Sequence, residues 1–91
     1  MGLTVQQLFD YIDRLTENKS GLILKGNKDK ESVLFKIYFA NDKYYIDKLK
    51  CVENKENVEG RVIADKEELQ KFKVKVIRLL NEINVEDIFI E

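Results

Sequence analysis

The 91-residue sequence contains no histidine, no proline and no tryptophan, and it has only one cysteine and four glycines. The absence of histidine removes the commonest general base and a leading metal ligand. The single cysteine, Cys51, excludes a disulfide within the chain, which fits a reducing cytoplasm. So few glycines leave no phosphate-binding loop and no dinucleotide fingerprint. We therefore expect a protein that is not an enzyme and that uses no cofactor and no metal.

Charge of one sign is also lacking, because 16 basic residues are balanced by 17 acidic residues to a net charge of −1. Such a balance provides no general attraction to nucleic acid or to a membrane surface. No apolar run approaches the roughly 20 residues that cross a bilayer, and the N-terminus lacks the pattern of a signal peptide. We expect a cytoplasmic protein without a membrane partner, folded as one domain over residues 1–91.

An amphipathic helix is predicted near the N-terminus. Thr4 and Gln7 match a capping box, in which the Thr hydroxyl and the Gln side chain each bond a free backbone amide. Apolar residues then recur at helical spacing, and this stripe predicts a helix that ends near residues 16–19.

A longer helix is predicted over residues 66–83, with Asp65 and Glu68 as a second capping box and Asn84 as its stop. The last residues, 85–91, alternate as in a strand, yet they are too few for the pattern to decide between strand and helix.

Between the helices, segments rich in β-branched and aromatic residues predict strands over residues 22–25, 33–40, 43–52 and 58–64. Polar turns are expected at residues 26–31 and 53–57, and Gly60 is a candidate for a bulge or a turn. Two amphipathic helices need an apolar sheet face to cover. The sequence thus predicts an α+β fold, in which an antiparallel sheet of three to four strands carries both helices on one face in the order α-β-β-β-β-α.

The stretch SVLFKIYFANDKYYIDKLK, residues 32–50, predicts a hairpin with a two-residue turn at Asn41 and Asp42. Such a turn fixes the register of the two strands. One face then pairs Phe39 with Tyr44, Ile37 with Ile46 and Phe35 with Lys48. The other face pairs Tyr38 with Tyr45, Lys36 with Asp47 and Leu34 with Leu49. Each pair on the second face combines side chains of matching chemistry, worth roughly 0.2–1 kcal/mol.

The helices are expected to cover the first face, so the second face is left open. An exposed apolar area with a polar rim is typical of an interaction surface, and tyrosine suits such a surface. We identify the candidate partner-binding residues as Leu34, Lys36, Tyr38, Tyr45, Asp47 and Leu49. A protein partner is expected. Two alternatives are that residues 85–91, or Leu3 and Tyr11, cover this face, and that a second copy covers it in a homodimer.

A small nucleic-acid-binding module is a further alternative. Lys71, Lys75 and Arg78 lie at i, i+4 and i+7 of the second helix and are candidates for phosphate binding. Glu67 and Glu82 flank this stripe at the same spacing, so ordinary ion pairs within the helix also explain it. The tyrosines of the second face could stack on single-stranded bases.

Other residues with reactive side chains fit ordinary structural roles better than chemistry. Cys51 lies beside a strand end and is interpreted as a buried structural thiol. Asp10 and Asp13 are interpreted as a polar helix face rather than a metal site, because two carboxylates without a third ligand are weak evidence for such a site. Lys28 and Lys30 are interpreted as a solvated turn.

Three segments, VQQLFDYIDRL, GLILKG and VLFKIYFANDKYYI, resemble the small anti-CRISPR proteins of phages and other mobile elements. One type of these proteins has a short helix, then a three-stranded antiparallel sheet, then a closing helix. The resemblance covers roughly the first half of the chain and implies an inhibitor of a CRISPR effector nuclease. Well-understood members of that type are strongly acidic and imitate DNA, whereas this chain is nearly neutral, so no functional residue is carried over.

Overall fold

The computed structural model describes residues 4–15, 21–53 and 55–90. Its elements in chain order are α1 (Val5–Asp13), β1 (Leu22–Lys28), β2 (Glu31–Ala40), β3 (Lys43–Val52), β4 (Lys55–Asp65), a 3₁₀ turn (Lys66–Glu68), α2 (Leu69–Glu82) and β5 (Asn84–Ile90). Within the described residues, the strands form one antiparallel sheet in the order β4-β3-β2-β1-β5. The predicted α+β class is confirmed.

The sheet has five strands, so the predicted sheet of three to four strands and the order α-β-β-β-β-α are wrong. The difference arises at the end of the chain, where β5 pairs with β1 and places Ile88 opposite Leu24. A short segment becomes a strand when a neighbouring strand offers it hydrogen bonds and packing, whatever its own pattern. This pairing makes β1 an interior strand, with a neighbouring strand on each side.

The capping box at the start of α1 is confirmed. The Thr4 hydroxyl accepts a hydrogen bond from the Gln7 amide at 3.1 Å, and Gln7 Oε1 accepts one from the Thr4 amide at 2.9 Å. The helix ends at Asp13, earlier than predicted, with a tighter 3₁₀-type bond in its last turn. The predicted end at residues 16–19 lies outside the described residues.

The two-residue turn between β2 and β3 is confirmed, because Asn41 and Asp42 have φ angles of 53° and 59°. Both angles lie in the left-handed region, which Asn and Asp tolerate better than most residues. The predicted register is confirmed as well, with Tyr38 opposite Tyr45 and the other pairs as expected.

Two predicted loops are shorter than expected. The turn predicted at residues 26–31 consists of Asp29 and Lys30, with φ angles of 51° and 68°, and the loop predicted at residues 53–57 gives way to β4 at Lys55. Polar side chains misled both predictions, because exposed positions of a strand can be polar. This holds especially for β4, which is an edge strand of the sheet. Nearly all residues of β4 are exposed.

A bulge is present in β4, next to the predicted position Gly60. Lys48 lies opposite Gly60, and the next residue of β3, Leu49, lies opposite Val58. Glu59 is therefore the extra residue of β4, and the alternation of faces changes at this point. Its carboxylate pairs with the Lys48 ammonium at 3.5 Å.

The second helix begins without the predicted capping box. The Asp65 side chain makes no cap hydrogen bond, and its carboxylate lies 3.7 Å from the Lys43 ammonium instead. A 3₁₀ turn leads into α2, which ends at Glu82 rather than at residue 83. Asn84, predicted as the stop, is the first residue of β5.

Both helices pack on one face of the sheet and form a single core with it. The buried apolar residues of this core are Leu8, Ile12, Leu22, Leu24, Phe35, Ile37, Tyr44, Ile46, Ala64, Phe72, Val76 and Ile83. The rings of Tyr44 and Phe72, from β3 and α2, stack at 5.2 Å. This layer confirms that the helices cover the face predicted for them.

An ion pair connects the two helices above the core. The Lys73 ammonium lies 2.7 Å from an Asp13 carboxylate oxygen and 5.3 Å from the centre of the Phe9 ring. Lys73 is nearly buried, and a buried ammonium requires such a partner. Asp13, considered above as a weak metal ligand, is thus engaged in holding α1 against α2.

The close approach of β1 and β5 at Gly26 leads to a prediction about stability. A Cβ atom at this position would collide with the backbone of Asn84 and lie 3.1 Å from Val85 Cα. We expect Gly26→Ala to lower the free energy of unfolding by about 1–3 kcal/mol, measured by urea denaturation. Gly60→Ala is the matched control, because its Cβ would meet only Lys48 Cβ, at 4.0 Å. Equal stability of the two variants would contradict this packing.

Candidate functional site

The face of the sheet opposite the helices is the candidate site, and we call it the open face. Residues that lie opposite each other in neighbouring strands point to the same side of a sheet. By this rule the register assigns to the open face Ile23, Leu34, Lys36, Tyr38, Tyr45, Asp47, Leu49, Val58, Arg61, Ile63 and Phe89. The six predicted partner-binding residues are all among them. The two described helices pack on the other side.

A carboxylate at the centre of the open face is held by two neighbours. Asp47 is only 4% exposed. Its Oδ1 accepts a hydrogen bond from Arg61 Nε at 2.7 Å, and its Oδ2 accepts bonds from Arg61 Nη2 at 3.1 Å and from the Tyr38 hydroxyl at 2.8 Å. A forked arginine contact of this kind fixes geometry as well as charge. The cluster therefore holds its three side chains in one arrangement.

The two tyrosines of the open face stack on each other. The rings of Tyr38 and Tyr45 are 4.8 Å apart and nearly parallel, at 7°. The Lys36 ammonium lies 5.6 Å from the Tyr38 ring centre, and the Arg61 guanidinium lies 5.6 Å from the Tyr45 ring centre. Each ring thus has the other tyrosine and a cation as neighbours, an arrangement that favours a fixed orientation.

Apolar side chains surround this central cluster. Val58, Ile63 and Phe89 are 50%, 48% and 46% exposed, which is high for large apolar residues on one continuous face. Leu34 and Leu49 are half-buried and adjoin a hollow of about 410 Å³. The rim of this hollow is charged, and it is formed by Lys25, Glu31, Lys50 and Glu56.

Burial, the hydrogen bond to the Asp47 carboxylate and the negative charge of Asp47 together raise the pKa of Tyr38 to about 12, and burial is the largest of these causes. The hydrogen bond and charge of Asp47 also raise the pKa of Arg61. Tyr38 and Arg61 therefore keep their protons throughout the physiological pH range. The cluster carries its charges as one anion and one cation beside a neutral hydroxyl.

Several residues of the open face were not found from the sequence. Arg61 and Ile63 belong to β4, where the bulge at Glu59 decides which residues face which side. The signal was present in Gly60, a bulge candidate next to Glu59, the extra residue that places Val58 on the open face. The sequence pairs Asp47 with Lys36, which lies opposite it as predicted, whereas the forked contact comes from Arg61.

The predicted phosphate-binding set does not join the open face, because it lies on α2. Lys71 pairs with Glu68 at 3.2 Å rather than with Glu67. Lys75 and Arg78 line a groove on the helix-covered side of the sheet. The stripe is therefore divided between one paired lysine and two cations beside an apolar groove.

The structure gives the following places to the other residues considered above. Asp10 accepts a hydrogen bond from Gln6 Nε2 at 3.1 Å. No group of three potential metal-binding side chains occurs in the part of the chain that the structure describes. The side chain of Cys51 lies outside the described part, so its predicted burial stays a prediction. The tail considered as an alternative cover forms β5 within the sheet. Tyr11 packs against the core, and Leu3 lies outside the described residues.

Comparisons of the chain with protein-family models, with curated proteins and with solved structures give no match. Across the described residues, none of the helices has the length and apolar character needed to cross a membrane. Inference about function therefore depends on the geometry of the chain itself, a small α+β domain with one helix-covered face and one open face.

The raised pKa of Tyr38 predicts a late step in the titration of the tyrosines. The fold holds this proton more tightly than the unfolded chain does, so its contribution to stability is complete below about pH 10 and is lost as the pH rises towards 12. We expect Asp47→Asn to move the titration of Tyr38 to lower pH while burial keeps its pKa above the ordinary value. The ultraviolet absorbance of tyrosinate measures this step.

Tyr38→Phe should remove the late titration step and so assigns that step to Tyr38. Tyr45→Phe is the control, in which the late step should remain. Tyr44 also has a pKa raised by burial, so the difference between variants is needed to identify Tyr38. An unchanged late step in Asp47→Asn would contradict the hydrogen bond.

Proposed function

We propose that the protein is a non-enzymatic binding module that docks on a protein partner through its open face. The observation that supports this most is the combination on one sheet face of exposed apolar side chains with a central polar cluster. Val58, Ile63 and Phe89 are each about half exposed, and the cluster of Asp47 with Arg61 lies between them. Protein interfaces combine such features, with aromatic residues and arginine as frequent anchors.

Preorganisation of the polar cluster favours tight docking. Binding costs about 0.5–1.5 kcal/mol for each flexible side chain that becomes fixed. In this chain the Tyr38 hydroxyl and the Arg61 guanidinium already bind Asp47, and Tyr38 already stacks on Tyr45. These side chains lose little freedom when a partner arrives.

The hollow beside Leu34 and Leu49 offers a place for one apolar side chain of the partner. Its lining combines apolar side chains with charged residues of both signs. Anchors in desolvated pockets dominate binding energy at protein interfaces, and polar rims exclude water around them. We infer that Leu34 and Leu49 contact the partner directly and that the charged rim selects its orientation.

The alternative of a nucleic-acid-binding module has less support on this face. A base needs a free ring face to stack on. One face of each tyrosine ring lies against the other tyrosine, and Lys36 and Arg61 lie over the rings of Tyr38 and Tyr45. A net charge of −1 also gives little attraction for phosphate. Nucleic-acid binding would reveal itself by a steep loss of affinity with added salt, which an apolar protein interface does not show.

The resemblance of the first half of the chain to anti-CRISPR proteins names the first partner class to test. We propose that the partner is a CRISPR effector nuclease and that the bound domain inhibits it by steric occlusion or by holding one conformation. The near-neutral charge argues for apolar docking rather than imitation of DNA. A phage or another mobile element of bacteria is the proposed source of such an inhibitor.

A matched pair of positions tests the docking face. Ile63 on the open face and Val74 on α2 are both 48% exposed, so they differ in location and not in accessibility. We expect a photo-crosslinking residue at Ile63 to capture a distinct protein in bacterial cells, whereas the same residue at Val74 does not. Equal capture at the two positions, or none at Ile63, would contradict the proposal. A product of two copies of this chain would favour the homodimer.

If the partner is a CRISPR effector nuclease, variants at Ile63 and Val74 allow inhibition to be measured directly. We expect the purified protein to reduce DNA cleavage, Ile63→Lys to restore it, and Val74→Lys to inhibit like the unmodified chain. A lysine at a desolvated interface lacks a partner and costs binding energy, whereas a lysine on a solvated helix face does not. Full cleavage with the unmodified chain would reject this partner class but leave the crosslinking test of the docking face in force.

Removal of both tyrosine rings tests their role as anchors. We expect Tyr38→Ala combined with Tyr45→Ala to weaken partner binding by at least about 2 kcal/mol, as anchor residues do. The fold should remain intact, because both rings lie on the open face and outside the core. Circular dichroism and calorimetry measure these two quantities. A double variant that is unfolded would show that the rings are needed for folding.

A further inference from the structure

A groove of about 310 Å³ opens between α2 and the β4 edge, on the helix-covered side of the sheet. Its floor is apolar and includes Phe35, Ile46 and Leu79, which belong to the core or pack against it. Gly60 and Val62 form its wall on β4. The groove thus borders the core of the domain on this side.

The groove exists because α2 covers only one end of β4. Ala64 and Val62 point to the helix-covered side, yet Ala64 is 5% exposed and Val62 is 38% exposed. Further along the strand, Gly60 provides no side chain, and a Cβ there would meet only Lys48 Cβ, at 4.0 Å. Apolar surface therefore stays in contact with water at this end, and burying it would release free energy.

Two cations of α2 stand at the groove and form no ion pair within the described part of the chain. Lys75 and Arg78 lie one helical turn apart in its lining. Neither forms an ion pair with any residue in the described ranges, whereas Lys71 pairs with Glu68. The lining contains two further basic residues, Lys48 and Arg61, which pair with Glu59 and Asp47, and one acidic residue, Glu82. The groove is therefore apolar within and positive at its mouth.

We propose that this groove binds a small carboxylic acid with an apolar body. The carboxylate meets Lys75 and Arg78, where arginine can offer two parallel donors, and the apolar body covers Phe35, Ile46 and Leu79. The volume is at the lower limit of known ligand sites, roughly 300–1,000 Å³, which fits a medium-length chain. An apolar floor distinguishes this ligand from inorganic phosphate or a nucleic-acid backbone. The site lies across the sheet from the open face and does not depend on its function.

Three probes with the same ten-carbon chain separate the contributions of charge and apolar body. Decanoate, decanol and decyltrimethylammonium are titrated into the ¹⁵N-labelled full chain below their micelle concentrations, and amide shifts report affinity and location. We expect decanoate to bind about tenfold more tightly than decanol, because a charge-assisted hydrogen bond strengthens the contact. The cationic probe should bind more weakly than decanol. Amides of Gly60 and Val62 should shift most.

Variants test separately the two cations that would bind the carboxylate and the apolar groove that would hold the chain. Lys75→Gln with Arg78→Gln should reduce the affinity for decanoate to that for decanol, while Lys71→Gln on the same helix leaves it unchanged. Gly60→Val projects a side chain into the open space of the groove and should abolish binding of decanoate and decanol alike. Thermal unfolding of each variant shows that loss of binding is not loss of the fold.

Several outcomes would overturn the proposal. Equal affinity for decanoate and decanol would show that the cations do not bind the carboxylate. Shifts confined to the open face would place the ligand elsewhere. Self-association of the chain that Gly60→Val abolishes would show that a second copy, rather than an acid, occupies the groove.

Discussion

The left-handed backbone of two residues, Asn41 and Asp42, decides which side chains of the central hairpin meet the helices. Side chains alternate along a strand, so a slip of one residue would exchange the two faces completely. Ile37 and Ile46, now buried in the core, would point to solvent, and Tyr38 and its neighbours would point at α2. The core, the stacked tyrosines and the buried Asp47 all presuppose this one turn.

A second constraint acts at the other end of the sheet, where the extra residue Glu59 changes the alternation of β4. Val58 and Ile63 thereby join the open face, while Gly60 and Val62 turn towards α2. The proposed protein-docking face and the proposed acid-binding groove thus share a strand and use its opposite sides. One local irregularity supplies residues to both surfaces.

Local rules predicted the central hairpin correctly, because a short turn and cross-strand pairing involve residues close in the chain. The six partner-binding candidates were therefore placed on one face. Arg61 was missed because its position depends on how β4 pairs with β3. The predicted capping box at Asp65 failed because of a contact between residues that are distant in the chain. Asp65 has the right chemistry for a cap, but its carboxylate is near Lys43 of β3, which local sequence cannot reveal. The sequence pattern of β5 is too short to predict a strand by itself, because β5 forms only by pairing with β1.

The pairing of the last strand with the first also has a consequence for biosynthesis. Contacts such as Lys25 with Asp87 close a loop of about sixty residues, and closing long loops slows folding. While the chain is still leaving the ribosome, the edge of β1 that later pairs with β5 has backbone amides and carbonyls without strand partners. They stay unpaired until β5 emerges. An exposed row of this kind recruits foreign strands. A nascent chain halted before its final segment would be the form most in need of a chaperone.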